Sequence, residues 1–301
     1  MKVLVTGASG FIGTSVIKAL NEQEISYLVI GRNCPKFVDE ADFLSIDLST
    51  QTVGSLSEVL DSKGCTHLLH LAWYVDPVQF WDGQENLDWI AFSITLFRAF
   101  HIAGGKTIVC AGSCAEYSES QDILSERSSH VNPKQLYGMA KLSLKNATEV
   151  WAHKHNINFR WARVFFAYGA DMPDVKLIPS LLNVLEGKQP VFTVNAHDRR
   201  DFIYIDDVAQ AMLCLLSTTR NGTFNVCSEK SHSVFEILDI LRELTGRDVE
   251  LIKTMANETA QNKPIIGSNI RLKEIGWQPK YDLVSGLSEI LTARPIAAAG
   301  I

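Results

Sequence analysis

A tyrosine and a lysine four residues apart, Tyr137 and Lys141 in LYGMAK, have the types and spacing for acid–base chemistry. On a helix this spacing places both side chains on one face. A free tyrosine has a pKa of about 10, too high for efficient proton transfer at neutral pH, and an adjacent ammonium lowers it. Ser113, at the end of the apolar run TIVCAG, has a hydroxyl that could bond the substrate oxygen with which Tyr137 exchanges its proton. The three residues predict a catalytic group in which Tyr137 gives or takes a proton.

The elements that must position this group begin with KVLVTGASGFIG at residues 2–13. A short apolar run, typical of a buried parallel strand, leads into Gly7, Gly10 and Gly13, and a helical pattern follows. Such glycines permit a tight turn, close approach of the backbone to a pyrophosphate, and packing of the helix on the strand. We predict a nicotinamide dinucleotide site, with Lys141 also holding the nicotinamide ribose. An ordinary strand, turn and helix is the alternative.

The end of the second strand bears on cofactor choice. NAD-binding folds place an acid there for the ribose hydroxyls, whereas this chain has Gly31, Arg32 and Asn33. A guanidinium pairs well with a 2′-phosphate, which favours NADP(H) over NAD(H), unless Arg32 simply faces solvent. Asp47 either holds the adenine amino group or caps the next helix. The predicted cofactor contacts are Gly7, Ser9, Gly10, Phe11, Ile12, Gly13, Arg32, Asp47, Leu48, Leu71, Ala72, Tyr137 and Lys141.

Apolar runs alternate with helical patterns through the first half of the chain. The runs that indicate strands are 27–31, 42–46, 67–72 and 107–112, and the helical patterns lie near 56–62, 86–103 and 139–154. This alternation predicts an α/β fold with helices on both faces of a parallel sheet. Further on, amphipathic helices are predicted at 178–194 and 233–246, a strand passing into a helix at 200–216, and a strand at 223–228.

The composition excludes several classes of protein. The 301 residues carry a net charge of −6 without a long basic run, so we expect no nucleic-acid partner. No apolar run approaches the roughly 20 residues that span a bilayer, so we expect no membrane span, and because the first predicted strand starts at residue 2 we expect no signal peptide. The six cysteines are scattered without a CxxC pair, which indicates reduced thiols in a cytoplasmic protein and no metal site.

The loop after the fourth strand, WYVDPVQFWDGQENLDW at 73–89, is rich in aromatic and acidic residues and has no basic ones. It lies at the carboxyl end of a strand, where α/β sheets bind ligands. Tyr74 and Trp81 are therefore predicted to line a substrate cleft. Alternatively, they cover a helix or a subunit contact.

These segments together resemble the extended short-chain dehydrogenase/reductase family, in particular its nucleotide-sugar enzymes. The matching segments, in order, are TGASGFIG, HLA, AGSCAEYS, NPKQLYGMAK, RVFFAYG, RRDFIYIDDVA and NIRLKEIGWQPKYDLVSGL. The resemblance implies a doubly wound Rossmann domain at 1–165, to which 200–228 returns, and a smaller substrate-binding α/β domain made mostly of 166–301.

The resemblance also implies roles for individual residues. Ser113, Tyr137 and Lys141 would form the catalytic triad, and Arg200 would hold the diphosphate of a nucleotide-sugar substrate, unless it pairs with Asp206 or Asp207. A cation at Arg200 suits that diphosphate. Many relatives pair as homodimers through helices like those at 86–103 and 139–154.

Departures from the family narrow the activity. The dehydratases of the family use an Asp–Glu pair to eliminate water from the sugar. This chain has Cys114 and Ala115 at those positions, and neither residue can serve as the acid or base of that elimination. The GDP-fucose synthases have a cysteine at the place of Ala115 and a histidine at the place of Lys176, which argues against double epimerisation. Lys176 is predicted to contact the sugar or act as a second acid, with a plain surface lysine as the alternative.

Two enzymatic hypotheses result. The first is an NADPH-dependent 4-reductase of a nucleotide-linked 4-keto-6-deoxy sugar, which Arg32 favours because NADPH usually serves as an exchanged reductant. The second is a nucleotide-sugar 4-epimerase that retains NAD and uses the same residues. A third hypothesis, a non-catalytic NADP-sensing regulator, conflicts with the intact set of Ser113, Tyr137 and Lys141.

Overall fold

The computed structural model describes residues 1–76, 78–118, 123–192, 194–246 and 264–294, in which strands and helices alternate. The strands are β1 (Lys2–Thr6), β2 (Ser26–Gly31), β3 (Phe43–Ser45), β4 (His67–His70), β5 (Thr107–Ser113), β6 (Asn158–Val164), β7 (Phe166–Tyr168), β8 (Arg199–Tyr204), β9 (Gly222–Val226) and β10 (Ser231–Ser233). The helices are α1 (Phe11–Glu22), α2 (Val53–Asp61), α3 (Glu85–Ile102), α4 (Leu136–Lys154), α5 (Leu177–Leu185), α6 (Ile205–Ser217), α7 (Val234–Thr245), α8 (Ile270–Lys273) and α9 (Leu283–Ala293).

The central sheet is seven-stranded, in the order β3-β2-β1-β4-β5-β6-β9, and all its neighbouring strands are parallel. The chain runs outward from β1 to β3 and then crosses back to place β4 on the other side of β1. In such sheets a ligand binds at the carboxyl ends of the two strands where the order reverses. The predicted Rossmann-type α/β fold is confirmed, and its reversal point lies between β1 and β4.

Both faces of this sheet are buried, as the consecutive apolar residues of β1 indicate. Val3 and Val5 belong to one core, whereas Leu4 belongs to a second core on the opposite face. Successive side chains of a strand point to opposite faces, so a strand covered on both sides is apolar throughout. Helices α1 and α6 pack together on one side, and α2, α3 and α4 pack in succession on the other.

A second, three-stranded sheet has the order β10-β8-β7. Strand β8 is parallel to β7 and antiparallel to β10. Of the segment 200–228, predicted to return to the first domain, β9 lies in the central sheet and α6 packs on α1, whereas β8 belongs to the smaller sheet. The domain limits themselves stay a prediction.

The first turn of α6 ties the two ends of the chain together through its acidic pair. Asp206 accepts a hydrogen bond from Ser15 Oγ on α1 at 2.6 Å. Asp207, which is 3% exposed, accepts from the backbone N–H groups of Lys280 and Tyr281 at 2.8 and 3.0 Å. The indole of Trp277 donates to the Asp207 carbonyl at 3.2 Å. The IDDVA motif is therefore a structural anchor for the residues that precede α9.

One predicted helix is shorter than its amphipathic pattern. The pattern covers 178–194, but α5 ends at Leu185. Gly187 follows with a φ of +70°, a left-handed conformation that ends helices, and Pro190 cannot donate a backbone hydrogen bond. The apolar letters beyond Pro190 belong to irregular chain, in which Val194 still packs in the core.

Two further features concern the covalent state and the helices of the described ranges. All six cysteines are described, and each is a free thiol. Among the described helices, none has both the length and the apolar character needed to cross a bilayer.

Candidate active site

The glycine turn after β1 packs against the loop after β4. Gly7 has a φ of +74°, and a Cβ built there would lie 2.6 Å from the backbone nitrogen of Ala72. A Cβ on Gly13 would lie 2.1 Å from the Gly7 oxygen, whereas one on Gly10 would meet only that same oxygen, at 3.3 Å. A side chain is therefore sterically excluded at Gly7 and Gly13. At Gly10 the space beside the Cα is nearly free of protein atoms, so another molecule could approach the backbone there.

The N-terminus of α1 offers unpaired backbone donors beside this turn. Gly10 is its N-cap and makes no side-chain cap bond, and the first turn has no acidic residue. The N–H groups and the helix dipole attract an anion there, so the turn fits the pyrophosphate of a dinucleotide. The other predicted cofactor residues lie near the carboxyl ends of the same strands: Ser9 is in the turn after β1, Phe11 and Ile12 open α1, Leu71 and Ala72 follow β4, and Asp47 and Leu48 follow β3.

A chain of buried hydrogen bonds fixes the distance between β1 and β4. Thr6 Oγ1 lies 2.8 Å from His70 Nδ1, and His70 Nε2 lies 2.9 Å from Ser93 Oγ. Ser93 donates to the Trp89 carbonyl, so it must accept from His70 Nε2–H, which leaves Nδ1 to accept from Thr6. Thr6 Oγ1 in turn accepts from the Ala72 N–H at 3.3 Å. Burial, with a contribution from Lys141, lowers the pKa of His70 to about 3, so the ring is neutral.

The structure brings Ser113, Tyr137 and Lys141 together at the carboxyl end of β5. Tyr137 and Lys141 lie one turn apart on α4, and the side chains of Tyr137 and Ser113 are in hydrogen-bonding reach. Lys141 Nζ donates to the Ala111 carbonyl on β5 at 2.9 Å. Since β5 is two strands from β1, and neighbouring strands are about 4.8 Å apart, the ends of these two strands lie about 10 Å apart. A dinucleotide easily covers that distance.

The electrostatics of this group differ from the expectation that Lys141 makes the phenol acidic. Desolvation raises the pKa of Tyr137, and its hydrogen bond with Ser113 offsets only part of that effect. Burial lowers the pKa of Lys141 to about 8. The ammonium is directed to the Ala111 carbonyl and to the indole face of Trp73, 3.8 Å from the ring centre. The phenol is therefore protonated and suited to donating a proton.

Glu116 holds the turn that carries Ser113. It has no exposed surface and accepts from the Ser113 N–H and the Trp161 indole, each at 2.8 Å. Its other oxygen accepts from Arg163 Nε at 2.7 Å, which forms a buried ion pair. A Cβ on Gly112 would lie 2.6 Å from this carboxylate, so the glycine makes room for it. Glu116 thereby anchors Ser113 to β6.

The aromatic loop after β4 lies directly on Tyr137. The rings of Phe80 and Trp81 contact the phenol edge-on, with centres 5.3 and 5.7 Å from its own. The Tyr137 N–H donates to the Trp81 carbonyl at 2.8 Å. Tyr74, predicted to contact the substrate, instead lies beside Gly83 in its own loop, and its substrate role stays a prediction.

Arg32 and Asp47 are neighbours at the ends of β2 and β3. Arg32 is exposed. Asp47 accepts hydrogen bonds from the backbone and hydroxyl of Ser49 at 3.0 and 2.7 Å. Those bonds, and more weakly the charge of Arg32, hold the pKa of Asp47 below its ordinary value. Asp47 thus caps the turn at 48–50, and its predicted contact with adenine stays a prediction.

Of the two predicted substrate cations, Arg200 lies on β8 of the smaller sheet and Lys176 lies at the start of α5. Arg200 Nε donates to Asp198 at 2.7 Å, so its partner is this aspartate rather than Asp206 or Asp207. The Arg200 guanidinium also lies over the Phe166 ring at 4.9 Å. Lys176 is the N-cap residue of α5, and its Nζ lies 5.2 Å from the centre of the Phe80 ring that covers Tyr137.

Three buried residues of this site, Trp73, His70 and Glu116, were not predicted as such from the sequence. Glu116 had a readable signal, because Ser113 and Glu116 form the S-x-x-E pattern of a capping box, which the structure contains. His70 lies in the HLA segment, but nothing in that segment indicates a bond to Thr6. Trp73 had only the aromatic richness of its loop as a signal.

Comparisons with known proteins identify the family of the chain. A sequence profile of the NAD dependent epimerase/dehydratase family matches residues 3–227. A putative UDP-glucose 4-epimerase of Methanocaldococcus jannaschii is 23% identical over 312 residues, covering 96% of this chain and 97% of the relative. A dTDP-4-dehydro-6-deoxyglucose reductase of Escherichia coli is 22% identical over 306 residues, covering 96% of each.

The fold is also that of a solved structure. The UDP-glucose 4-epimerase of Thermus thermophilus, crystallised as a complex with NAD, superposes with a TM-score of 0.84 at 21% identity. The alignment covers 97% of this chain and 98% of that one. The resemblance to extended short-chain dehydrogenase/reductases is confirmed, as is the prediction of an NAD(P)-dependent enzyme of the nucleotide-sugar group. The chain belongs to the NAD dependent epimerase/dehydratase family.

Proposed function

We propose that this protein is a nucleotide-sugar 4-epimerase that uses Ser113, Tyr137 and Lys141. The observation that carries the proposal is the convergence of these side chains at the end of β5, beside a glycine turn that fits a dinucleotide. UDP-glucose 4-epimerases outnumber the reductase among the relatives that match almost the whole chain, which supports epimerisation over the reduction favoured from the sequence. Epimerisation therefore takes precedence over reduction as the proposed activity.

The chain's own groups suit a reaction at a sugar C4 alcohol. A bound nicotinamide would supply the hydride acceptor and donor. Tyr137 would take the proton of the C4 hydroxyl as the carbon is oxidised and return it after the hydride is delivered to the opposite face, so that atoms and electrons balance. Ser113 would hold the same oxygen, and Lys141 would hold the nicotinamide ribose. Because desolvation raises the pKa of Tyr137, its role as a base requires that binding lower this pKa.

Contacts with the rest of the substrate fall to the two cations and the aromatic loop. Arg200 would bind the diphosphate, in competition with Asp198. Lys176, beside Phe80, would contact the sugar. Tyr74 would reach the sugar only if its loop rearranged, because its ring now lies against Gly83.

The second candidate is a 4-reductase of a nucleotide-linked 4-keto-6-deoxy sugar with NADPH. Arg32 favours it, since an exposed guanidinium at the end of β2 suits a 2′-phosphate. The similarity to a dTDP-4-dehydro-6-deoxyglucose reductase favours it as well. The protonated phenol of Tyr137 is the acid that this reaction needs.

One experiment separates the two candidates. The purified protein is incubated with NAD and UDP-glucose, UDP-galactose or their N-acetylated forms, and the sugars are followed by proton NMR. A 4-epimerase interconverts the pairs without net oxidation of any cofactor. In parallel, a dTDP-4-keto-6-deoxy sugar is added with NADPH or NADH, whose absorbance a reductase would consume. Turnover of the keto sugar alone replaces the first candidate with the second, and turnover of neither class contradicts both.

Cofactor choice is tested by binding alone. We propose NADP(H) as the tighter ligand if Arg32 contacts a 2′-phosphate, with NAD(H) the alternative that the family description favours. Arg32→Ala would then weaken NADPH binding by about tenfold or more and leave NADH nearly unchanged. Lys36→Ala, an exposed cation in the same loop, is the matched control.

We propose that the protein is a homodimer, because α3 and α4 expose large apolar side chains on their outer faces. Leu87 and Ile102 on α3 are 53% and 61% exposed, and Val150 on α4 is 59% exposed. Sedimentation equilibrium of Val150→Asp would report a monomer, whereas Val59→Asp on α2 would stay dimeric. The free thiols suit a reducing compartment such as the cytoplasm.

A further inference from the structure

The indole of Trp73 covers the ammonium of Lys141. The Nζ atom lies 3.8 Å from the ring centre, and the two residues are 7% and 3% exposed. On its other side Nζ donates to the Ala111 carbonyl at 2.9 Å. A buried cation is thus held between a carbonyl dipole and the negative face of an aromatic ring, an attraction that is stronger when water is excluded.

The indole is itself held in one orientation. Trp73 Nε1 donates to Asn86 Oδ1 at 2.8 Å, and Asn86 has no exposed surface. The Asn86 amide donates to the carbonyls of Phe80 and Gly83 at 2.7 and 2.9 Å. All of the hydrogen-bonding groups of this amide are therefore engaged, which fixes the plane of the ring beneath Lys141.

We propose that Trp73 is a positioning residue for the reaction, whose ring face keeps Lys141 cationic and directed at the Ala111 carbonyl. The proposal rests on the role of Lys141 in the proposed function. Only the protonated amine is attracted to the ring, so Trp73 opposes the effect of burial on this side chain. An uncharged Lys141 would neither favour a phenolate at Tyr137 nor hold a ribose as firmly.

Four other titratable groups face Lys141 from the elements packed against it. His70 on β4 has a pKa of about 3, and burial raises the pKa of Cys110 on β5 to about 12. Desolvation keeps Tyr137 on α4 protonated. Glu116, after β5, is ion-paired with Arg163. A titration between pH 6 and 9 at this site is therefore that of Lys141 itself, whose pKa burial lowers to about 8.

The test uses the full chain without substrate or cofactor, so it does not depend on which reaction is catalysed. Lysines are labelled with ¹³C at Cε, the Lys141 resonance is assigned with Lys141→Arg, and its shift is followed against pH. We expect Trp73→Leu to lower the titration midpoint by about one pH unit. Trp73→Phe, which keeps a weaker ring face, should lower it by less than half as much. Trp151→Leu, about 15 Å along the same helix, should leave it unchanged.

Two outcomes overturn the proposal. The first is the same Lys141 midpoint in the wild type and in a folded Trp73 variant, even if that variant has lost activity, since Trp73 would then be structural only. The second is an equal downward shift in Trp151→Leu. If Trp73→Leu does not fold, Trp73→Phe decides the question through its smaller shift. Once a substrate is known, the alkaline limb of kcat should move with the NMR midpoint.

Discussion

The carboxylate of Asp82 accepts a hydrogen bond from the backbone N–H of Leu136, 54 positions further along the chain, at 3.2 Å. Leu136 begins α4, whose own N-cap residue, Gln135, makes no side-chain cap bond. The next N–H, that of Tyr137, donates to the Trp81 carbonyl. The aromatic loop therefore caps the helix that carries the predicted catalytic tyrosine, and its acidic charge suits the helix dipole.

Removing this cap tests the coupling between the loop and α4. Asp82→Ala should lower the free energy of unfolding by about 1 kcal/mol, the usual cost of a lost N-cap. It should also lower turnover, because the start of α4 positions Tyr137. Urea denaturation and kcat give the two values. Asp39→Ala, at an N-cap without a side-chain bond, is the control and should change neither; equal effects in both variants would contradict the assignment.

Tyr137→Phe removes the proposed proton donor and little else. Turnover should fall by at least about 100-fold, the usual contribution of general acid–base catalysis. Cofactor affinity, measured by calorimetry, should stay within a few-fold. Tyr27→Phe removes a phenol at the far end of β2 and should keep full turnover. Retention of activity in Tyr137→Phe would eliminate the proposed mechanism.

The glycine turn is tested by a pair of alanine substitutions. Gly13→Ala would place a Cβ 2.1 Å from the Gly7 oxygen, so the turn must distort, and we expect at least a tenfold loss of dinucleotide affinity together with lower stability. Gly54→Ala, exposed in α2 with its nearest neighbour at 4.0 Å, should raise stability by up to about 1 kcal/mol and leave cofactor binding unchanged. Equal binding by both variants would argue against a dinucleotide at this turn.

The buried His70 predicts a pH dependence of stability. Its pKa is about 3 in the folded protein and 6.5 in the unfolded chain, so the unfolded state binds more protons between these values. Stability therefore falls as the pH drops below 6.5, and the loss between pH 7 and pH 5 is about 2 kcal/mol. His70→Gln should be less stable than the wild type at pH 7, but it should not show this additional loss of stability between pH 7 and pH 5. Urea denaturation at each pH would measure both effects. His153→Gln, exposed on α4, should still show that loss; identical slopes in wild type and His70→Gln would contradict the argument.

Strands β1–β5 and the flanking helices α1–α4 could be predicted because their apolar residues form short continuous runs in the strands and recur at helical spacing in the helices. The prediction failed at β6, the strand between β5 and β9, which reads NFRWARV. Its two arginines are only 2% and 3% exposed, because Arg160 donates to the carbonyls of Arg220 and Leu215 while Arg163 pairs with Glu116. A pattern of letters cannot distinguish such satisfied charges from solvent-exposed ones.

In the site too, features set within one element could be predicted from the sequence, whereas contacts between distant elements could not. The spacing of Tyr137 and Lys141 is set within one helix, so their common face followed from the sequence. The partners of Lys141 did not, because Trp73 and Ala111 come from other elements. For the same reason the expected lowering of the phenol pKa was wrong: desolvation, a property of the whole fold, raises the pKa of Tyr137.

The backbone amides of Lys280 and Tyr281, together with the Trp277 indole, complete the N-terminal end of α6 around Asp207. A fragment that stops before residue 277 would lose these three donors and uncover the start of α6, so we expect it to be less stable than the full chain. The half of the chain that carries the glycine turn therefore depends on a segment near residue 280 for part of its stability. A split version of the protein is expected to need a second piece that supplies the GWQPKY segment to α6.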